Sequence, residues 1–293
     1  MQKQKKFKRI LKKKSPGLEK KHFGRILLMV KKQKTISPPV SRTGRISIPK
    51  PRKTAMFDCI KLSIVIPVYN EENLIDAVLE RVCAVRFQQN VELEYIVVDD
   101  HSTDRTWEHI MPWADRGFKI ARHEVNCGKG GALHTGFAMA TGDVVTVQDA
   151  DFEYDPGDLP SLLQPILDGR ADVVFGARTP ILRNGAQLVT PFWHSKVNEF
   201  LTFTCNMFSN LALSDMECCY KMVRREFLQK IRLEEKRFGF EPEITLKIAR
   251  LHPRFWQVPV SYAPRTYEEG KKINWKDGVS SLRCIFQYGL FRL

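Results

Sequence analysis

The sequence predicts a doubly wound α/β domain, and three observations predict it. Apolar runs rich in β-branched residues recur at Lys61–Asn70, Glu92–Asp100, Phe118–His123, Asp143–Gln148 and Ala171–Arg178. Helical patterns separate them, which is the βαβ alternation of a parallel sheet. The first run is continuous rather than alternating, as a strand covered on both faces requires.

The elements follow in order. Strand one is "KLSIVIPVYN", and Asn70 is placed to cap the next helix, "EENLIDAVLERVCAV", which has acids in its first turn. Strand two is "ELEYIVVDD", with Asp104 as the expected cap of a helix reaching Trp113. Strand three is "FKIARH". A glycine-rich turn then opens the helix in "GKGGALHTGFAMATG". Strand four is "DVVTVQ" and strand five "ADVVFGAR". The second half is less regular. A Phe-rich helix is expected over 192–213, another over 242–251, a strand over 254–262, and an amphipathic helix from Trp275 onward.

Charge divides the chain of 293 residues. Residues 1–54 hold 19 Lys and Arg against one acid, Glu19. They carry +18 of a formal net charge of +14, so the remaining 239 residues carry −4. This Lys-, Pro- and Ser-rich arm cannot bury a core and is expected to be largely disordered. The expected domains are therefore an arm at 1–54 and a folded domain at 55–293. The arm suits an electrostatic tether to anionic lipid or nucleic acid; a solubilising tail fits its composition equally. Seven scattered cysteines with no C-x-x-C pair predict reduced thiols in a cytoplasmic protein. No run approaches the roughly 18 apolar residues of a membrane span.

The unusual residues gather where strands end, the place where ligands collect in such sheets. Strand one ends in Pro67, Tyr69 and Glu71, strand two in Asp99 and Asp100, and strand four in Asp149-Ala150-Asp151. In an extended segment residues i and i+2 share a side, so Asp149 and Asp151 are expected to face the cleft with Ala150 turned away. Paired carboxylates suit Mg²⁺ or Mn²⁺, hard cations that bind through oxygen and carry substrate phosphates. A single D-x-D is more often an acidic surface turn; Asp100 at the same rim argues against that here. Arg178 and the loop with Arg265, Lys271 and Lys272 offer cations for a diphosphate. "NCGKGGAL" matches neither phosphate-loop pattern and reads as a turn opening a helix, with a Lys129 phosphate contact the lesser reading.

The ordered motifs "VIPVYNEE", "VVDDHSTDRT", "NCGKGGALHTGF", "QDADFEYDP", "DMECCYK" and "PRTYEEGKKINWKDG" resemble those of family 2 glycosyltransferases, closest to the dolichyl- or polyprenyl-phosphate sugar synthases. The resemblance covers about residues 60–280. It implies the GT-A fold, a Rossmann-like mixed sheet, mostly parallel and flanked by helices. It also implies a UDP- or GDP-sugar donor, a divalent metal and inversion at the anomeric carbon. By resemblance, Pro67, Tyr69, Glu71, Val98 and Asp100 surround the nucleoside. Asp149 and Asp151 hold the metal, with Ala150 between them and Glu153 as a further donor contact. Arg178, Arg265 and Lys271 serve the sugar and phosphates.

The acceptor decides whether a base is needed. A sugar hydroxyl must lose its proton in the transition state, and Asp215 and Glu217 are then the candidates. A lipid phosphate is already anionic. Both carboxylates could instead bracket a helix. Many polyprenyl-phosphate members carry membrane helices after this domain. Here "VSSLRCIFQYGLFRL" could lie in the membrane interface through Leu282, Ile285, Phe286 and Leu290, or pack on the core. The leading expectation is transfer to a polyprenyl phosphate, on the cytoplasmic face of a membrane. Transfer to a saccharide or other hydroxyl is the alternative. A nucleic-acid-binding protein has only the arm in its favour, because no nucleic-acid motif accompanies it.

Overall fold

The computed structural model describes residues 59–178, 191–265 and 275–290. The strands are β1 (Ile60–Val68), β2 (Val91–Asp99), β3 (Lys119–Arg122), β4 (Val144–Val147), β5 (Val173–Arg178), β6 (Lys221–Arg224) and β7 (Phe255–Val260). They form one sheet in the order β3-β2-β1-β4-β6-β5-β7. All pairings are parallel except those of β6, which runs antiparallel between β4 and β5. The direction of winding reverses between β1 and β4, which opens a crevice at their carboxyl ends.

The helices are α1 (Ile75–Ala84), α2 (Thr106–Ile110), α3 (Lys129–Met139), α4 (Leu159–Leu167), α5 (Phe192–Ser209), α6 (Arg225–Leu228), α7 (Phe240–Ala249) and α8 (Trp275–Leu290). The period-two pleat of β1 sorts its side chains into two cores. Leu62, Ile64 and Ile66 pack with Val78 and Leu79 of α1 and Leu162 and Ile166 of α4. Val65 faces the other side, where Leu133 of α3, Leu201 of α5, Ile244 of α7 and Ile285 of α8 assemble. Helix α3 sits close to the sheet because Gly136 has no side chain; a Cβ there would lie 2.2 Å from Val65 Cγ1.

The predicted strands and helices are present, most with shorter ends, although β1, β2 and α7 begin one or two residues earlier than expected. The helix expected to reach Trp113 stops at Ile110 and tightens into a 3₁₀ turn, Met111–Arg116. The Phe-rich helix ends at Ser209, with Asn210 left-handed (φ 57°) after it. Asn70 does not cap α1. It takes φ 50° and ties strand one to the loop after β2, its Oδ1 accepting from the Thr103 N–H at 2.8 Å. The last helix packs on the core rather than offering its apolar face outward. Ile285 is fully buried, Leu282 and Leu290 are half-buried, and of the four residues only Phe286 is exposed. No helix among the described residues is long and apolar enough to cross a membrane.

Candidate functional site

Glu71, Asp151, Glu153 and Arg265 meet at the carboxyl edge of the sheet, although Glu71 and Arg265 lie 194 residues apart. They arrive from three strand ends: Glu71 follows β1, Asp151 and Glu153 follow β4, and Arg265 follows β7. Strand β4 stops at Val147, so Asp149 and Asp151 lie beyond it and not in an extended run. A turn places them instead: Asp151 Oδ1 accepts from the Glu153 N–H at 3.0 Å. Ala150 is turned into the core as expected, 6% exposed. Glu153 then secures the segment after β7, because its carbonyl accepts from the Ala263 N–H (2.9 Å) and its Oε1 from the Arg265 N–H (2.9 Å).

That anchoring aims Arg265 into the acidic cluster. Its Nη2 donates to Asp151 Oδ2 at 2.7 Å, and its Nη1 to Glu71 Oε1 and Oε2 at 3.1 and 3.2 Å. Asp149 has a different cation: Lys129 Nζ lies 2.8 Å from Asp149 Oδ1, 3.0 Å from Cys219 Sγ and 3.7 Å from Glu241 Oε1.

The two aspartates titrate in opposite directions. Burial pushes Asp149 up, but the Lys129 ammonium outweighs it and holds the carboxyl below its usual range. Burial and the neighbouring Asp149 charge push Asp151 up to about 7, against the pull of Arg265. An acid held that high marks a place where negative charge exceeds the cations the chain provides. The donor chemistry, buried carboxylate oxygens one residue apart, fits a hard divalent cation.

A second pair borders the site. Arg178 Nε and Nη2 donate to Asp215 at 2.6 and 2.8 Å, and the guanidinium lies 5.1 Å from the Tyr262 ring centroid. Asp215 is 4% exposed. Burial raises its carboxyl, and Arg178 more than reverses that, holding it low. A carboxylate locked in a bidentate pair is a weak base, which argues against Asp215 as a general base. Glu217 differs. Burial, with the charge of Glu241, pushes it up to about 8, and its Oε1 is buried without a hydrogen-bond partner.

Other expected residues are placed otherwise. Asp100 does reach the rim, but its carboxylate turns to the glycine-rich segment. Oδ1 accepts from the Cys127 N–H (2.8 Å) and Oδ2 from the Gly128 N–H (2.6 Å), while His123 Nδ1 lies 2.7 Å from Oδ1. Both oxygens are thus engaged within the protein, and a nucleoside contact would have to share them. Asp100, His123 and Cys127 bring potential metal-ligand atoms within 4.8 Å of one another, but His123 Nε2 is also engaged, 2.9 Å from Thr135 Oγ1. The cluster clamps the turn. Gly128 is required there by φ 83° and by Lys236 O, which a Cβ would approach to 2.5 Å. Val98 and Pro67 are neighbours in the β1–β2 register and both are buried, with the Val98 side chain in the core. Tyr69 is half-buried at the end of β1. Lys271 and Lys272 lie outside the described residues.

In the sequence Lys129 stands out only as a candidate phosphate contact. Its partner is Asp149, and no linear spacing signals a contact across the cleft. Glu241, at the start of α7, was missed for the same reason.

A crevice lined by carboxylates and closed by an arginine lies at the switch point of a mostly parallel sheet, the architecture of the GT-A fold. The chain belongs to glycosyl transferase family 2, whose family model matches residues 63–232. It is 27% identical over 235 residues to a dolichol-phosphate mannosyltransferase of Pyrococcus furiosus, covering 78% of this chain and 63% of that one. It is 31% identical over 216 residues to an undecaprenyl-phosphate 4-deoxy-4-formamido-L-arabinose transferase of Aeromonas hydrophila, covering 72% and 63%. The chain therefore spans less than two thirds of either relative. In fold it is similar to the crystal structure of glucosyl-3-phosphoglycerate synthase from Mycobacterium tuberculosis in complex with Mn²⁺, UDP and glucosyl-3-phosphoglycerate. That likeness has a TM-score of 0.59 and 19% identity, and covers 80% of this chain and 81% of that one.

Proposed function

We propose that this glycosyltransferase moves a sugar from a UDP- or GDP-sugar to a polyprenyl phosphate with inversion, using Mg²⁺ or Mn²⁺ held by Asp149 and Asp151. The observation that carries the reading is the Arg265 guanidinium set across Glu71 and Asp151 beside a second, Lys129-paired aspartate. The bound cation would neutralise charge on the leaving diphosphate. Arg265 would turn from Asp151 to the phosphates once a cation satisfies that carboxylate, and Lys271 is proposed to join it. Lys129 keeps Asp149 ionised. Glu71, with Pro67, Tyr69 and the backbone at Val98, would border the nucleoside; Glu153 holds the Arg265 segment in place. The Arg178–Asp215 pair would orient the sugar side. The relatives' names support the acceptor, and an anionic phosphate oxygen attacks without a base.

The domain reading, an arm at 1–54 and a catalytic domain at 55–293, and a location on the cytoplasmic face of a membrane belong to the same proposal. Nucleotide release over a panel of UDP-, GDP- and dTDP-sugars, with and without polyprenyl phosphate in detergent, tests it. Release that ignores polyprenyl phosphate for every donor refutes the acceptor.

One observation favours a second reading. Glu217, with its high pKa and unpartnered oxygen, has the properties of a general base for a hydroxyl acceptor. Saccharide acceptors in the same assay decide between the two.

A further inference from the structure

Helix α5 has two apolar faces where a surface helix ordinarily has one. Leu201 and Cys205 are buried on the inner face, with Phe208 packed beside them. On the outer side Phe192, Trp193, Val197, Phe200, Phe203 and Met207 are all more than half exposed, from 51% at Val197 to 76% at Trp193. At about 100° per residue these six fall within an arc of about 140° along the whole helix. The charged side chain inside that arc, Lys196, is paired with Glu199 at 2.8 Å. Exposed Phe286 of α8 packs edge-on against Phe208 at 5.5 Å and adds to the apolar surface. Contiguous apolar surface of this extent marks an interaction site rather than chance exposure.

The same helix reaches the site. Asn198, on the inner flank of α5, accepts from Arg178 Nη2 at 3.0 Å and donates to Asp215 Oδ1 at 3.3 Å. Whatever the outer face rests on is thus one helix width from the Arg178–Asp215 pair.

We propose that the outer face of α5 docks on the surface of an anionic lipid bilayer, assisted by the basic residues 1–54. Two observations select lipid over protein. The face is built from Phe, Trp, Val and Met, the composition that seats a helix at the headgroup boundary. The arm carries +18, opposite in sign to anionic lipid, whereas a second copy of the chain, itself +14, would bring like charge. Docking this way would bring the site to the level of lipid phosphates, so the inference deepens the polyprenyl-phosphate reading and rests on it for its purpose.

The test needs neither donor nor polyprenyl phosphate. The full-length chain is sedimented with phosphatidylcholine vesicles, with and without phosphatidylglycerol. The proposal expects binding to the anionic vesicles. It expects the double variant Phe200→Ser/Phe203→Ser to bind them about a hundredfold more weakly, through loss of two buried aromatic side chains. The difference should persist in high salt, which screens the arm but not the apolar contact. The thermal midpoint of the variant should match the wild type, since both residues are exposed. Equal vesicle affinity of variant and wild type, or no wild-type binding to anionic vesicles, overturns the proposal. So does a dimer that the variant splits while vesicle binding is unchanged, since a second copy would then cover the face. Because acceptor choice is read separately in detergent, failure here leaves that result standing.

Discussion

Arg265 Nη2 lies 2.7 Å from Asp151 Oδ2, so a cation of the protein itself occupies one of the two aspartates expected to face a metal. The second arm of the same guanidinium reaches Glu71 at 3.1 Å. A lysine cannot span both carboxylates, because it presents one ammonium in place of a planar fork. Arg265→Lys is expected to lower kcat for nucleotide release about 10²-fold, the magnitude typical of losing one preorganised charge contact. Steady-state kinetics over donor concentration check this, and wild-type kcat in the lysine variant would contradict it.

Lys129 and Asp149 form the companion pair at 2.8 Å. Lys129→Met would leave a buried carboxylate uncompensated, which costs about 3–5 kcal/mol for a pair broken on one side. The expected outcome is a lower thermal midpoint that added Mn²⁺ partly restores. A midpoint insensitive to the substitution would show that the pair is not buried as described.

Glu217 gives a pH signature. Its folded pKa, pushed up to about 8 by burial, lies above the usual carboxyl value. A raised acid contributes stability that is complete below its unfolded pKa and lost as pH rises through the folded value. Glu217→Gln removes that loss, so the variant should gain stability relative to wild type between about pH 4.5 and 8. Denaturant melts across this range check it. Activity separates the acceptors: transfer to polyprenyl phosphate should survive Glu217→Gln, whereas transfer to a hydroxyl that uses Glu217 as base should collapse.

Glu94 gives the opposite sign. Its carboxylate accepts from Ser63 Oγ (2.5 Å), from Thr141 N–H (2.8 Å) and Oγ1 (2.6 Å), and from Lys119 Nζ (2.7 Å). Burial opposes ionisation, yet the donors led by Lys119 and Ser63 draw the group down to about 2. Its stabilisation is therefore present above the unfolded carboxyl pKa and lost as pH falls toward 2. Glu94→Gln should cost about 2 kcal/mol at neutral pH and progressively less in acid. A cost that does not change with pH would contradict the assignment.

Strands buried on both faces were legible in the sequence because their apolar runs have no polar side to hide. Strand β6 was not. It is four residues long and begins and ends in Lys221 and Arg224, which look like surface residues. Both are buried: Lys221 Nζ donates to the carbonyls of Met216 and Cys218, and Arg224 Nη2 to the Ile166 carbonyl. Helix α4 was hidden by Pro165 inside it. At the site, local motifs singled out Glu71, Asp149, Asp151 and Arg265, but not which residue pairs with which. The Lys129–Asp149 and Arg178–Asp215 contacts depend on how the strands are ordered, which no single motif encodes. Helix α5 was expected from its Phe content, but its pattern could not show that half of that apolar surface stays outside.

The central claim is metal-dependent glycosyl transfer through the aspartate pair. Its most direct test is polyprenyl-phosphate-dependent nucleotide release by the wild type and by Asp151→Asn, each in Mn²⁺ and in excess chelator. Release is predicted only for the wild type in Mn²⁺, with donor binding weakened in the variant. Full release by Asp151→Asn, or by the wild type in chelator, would contradict it.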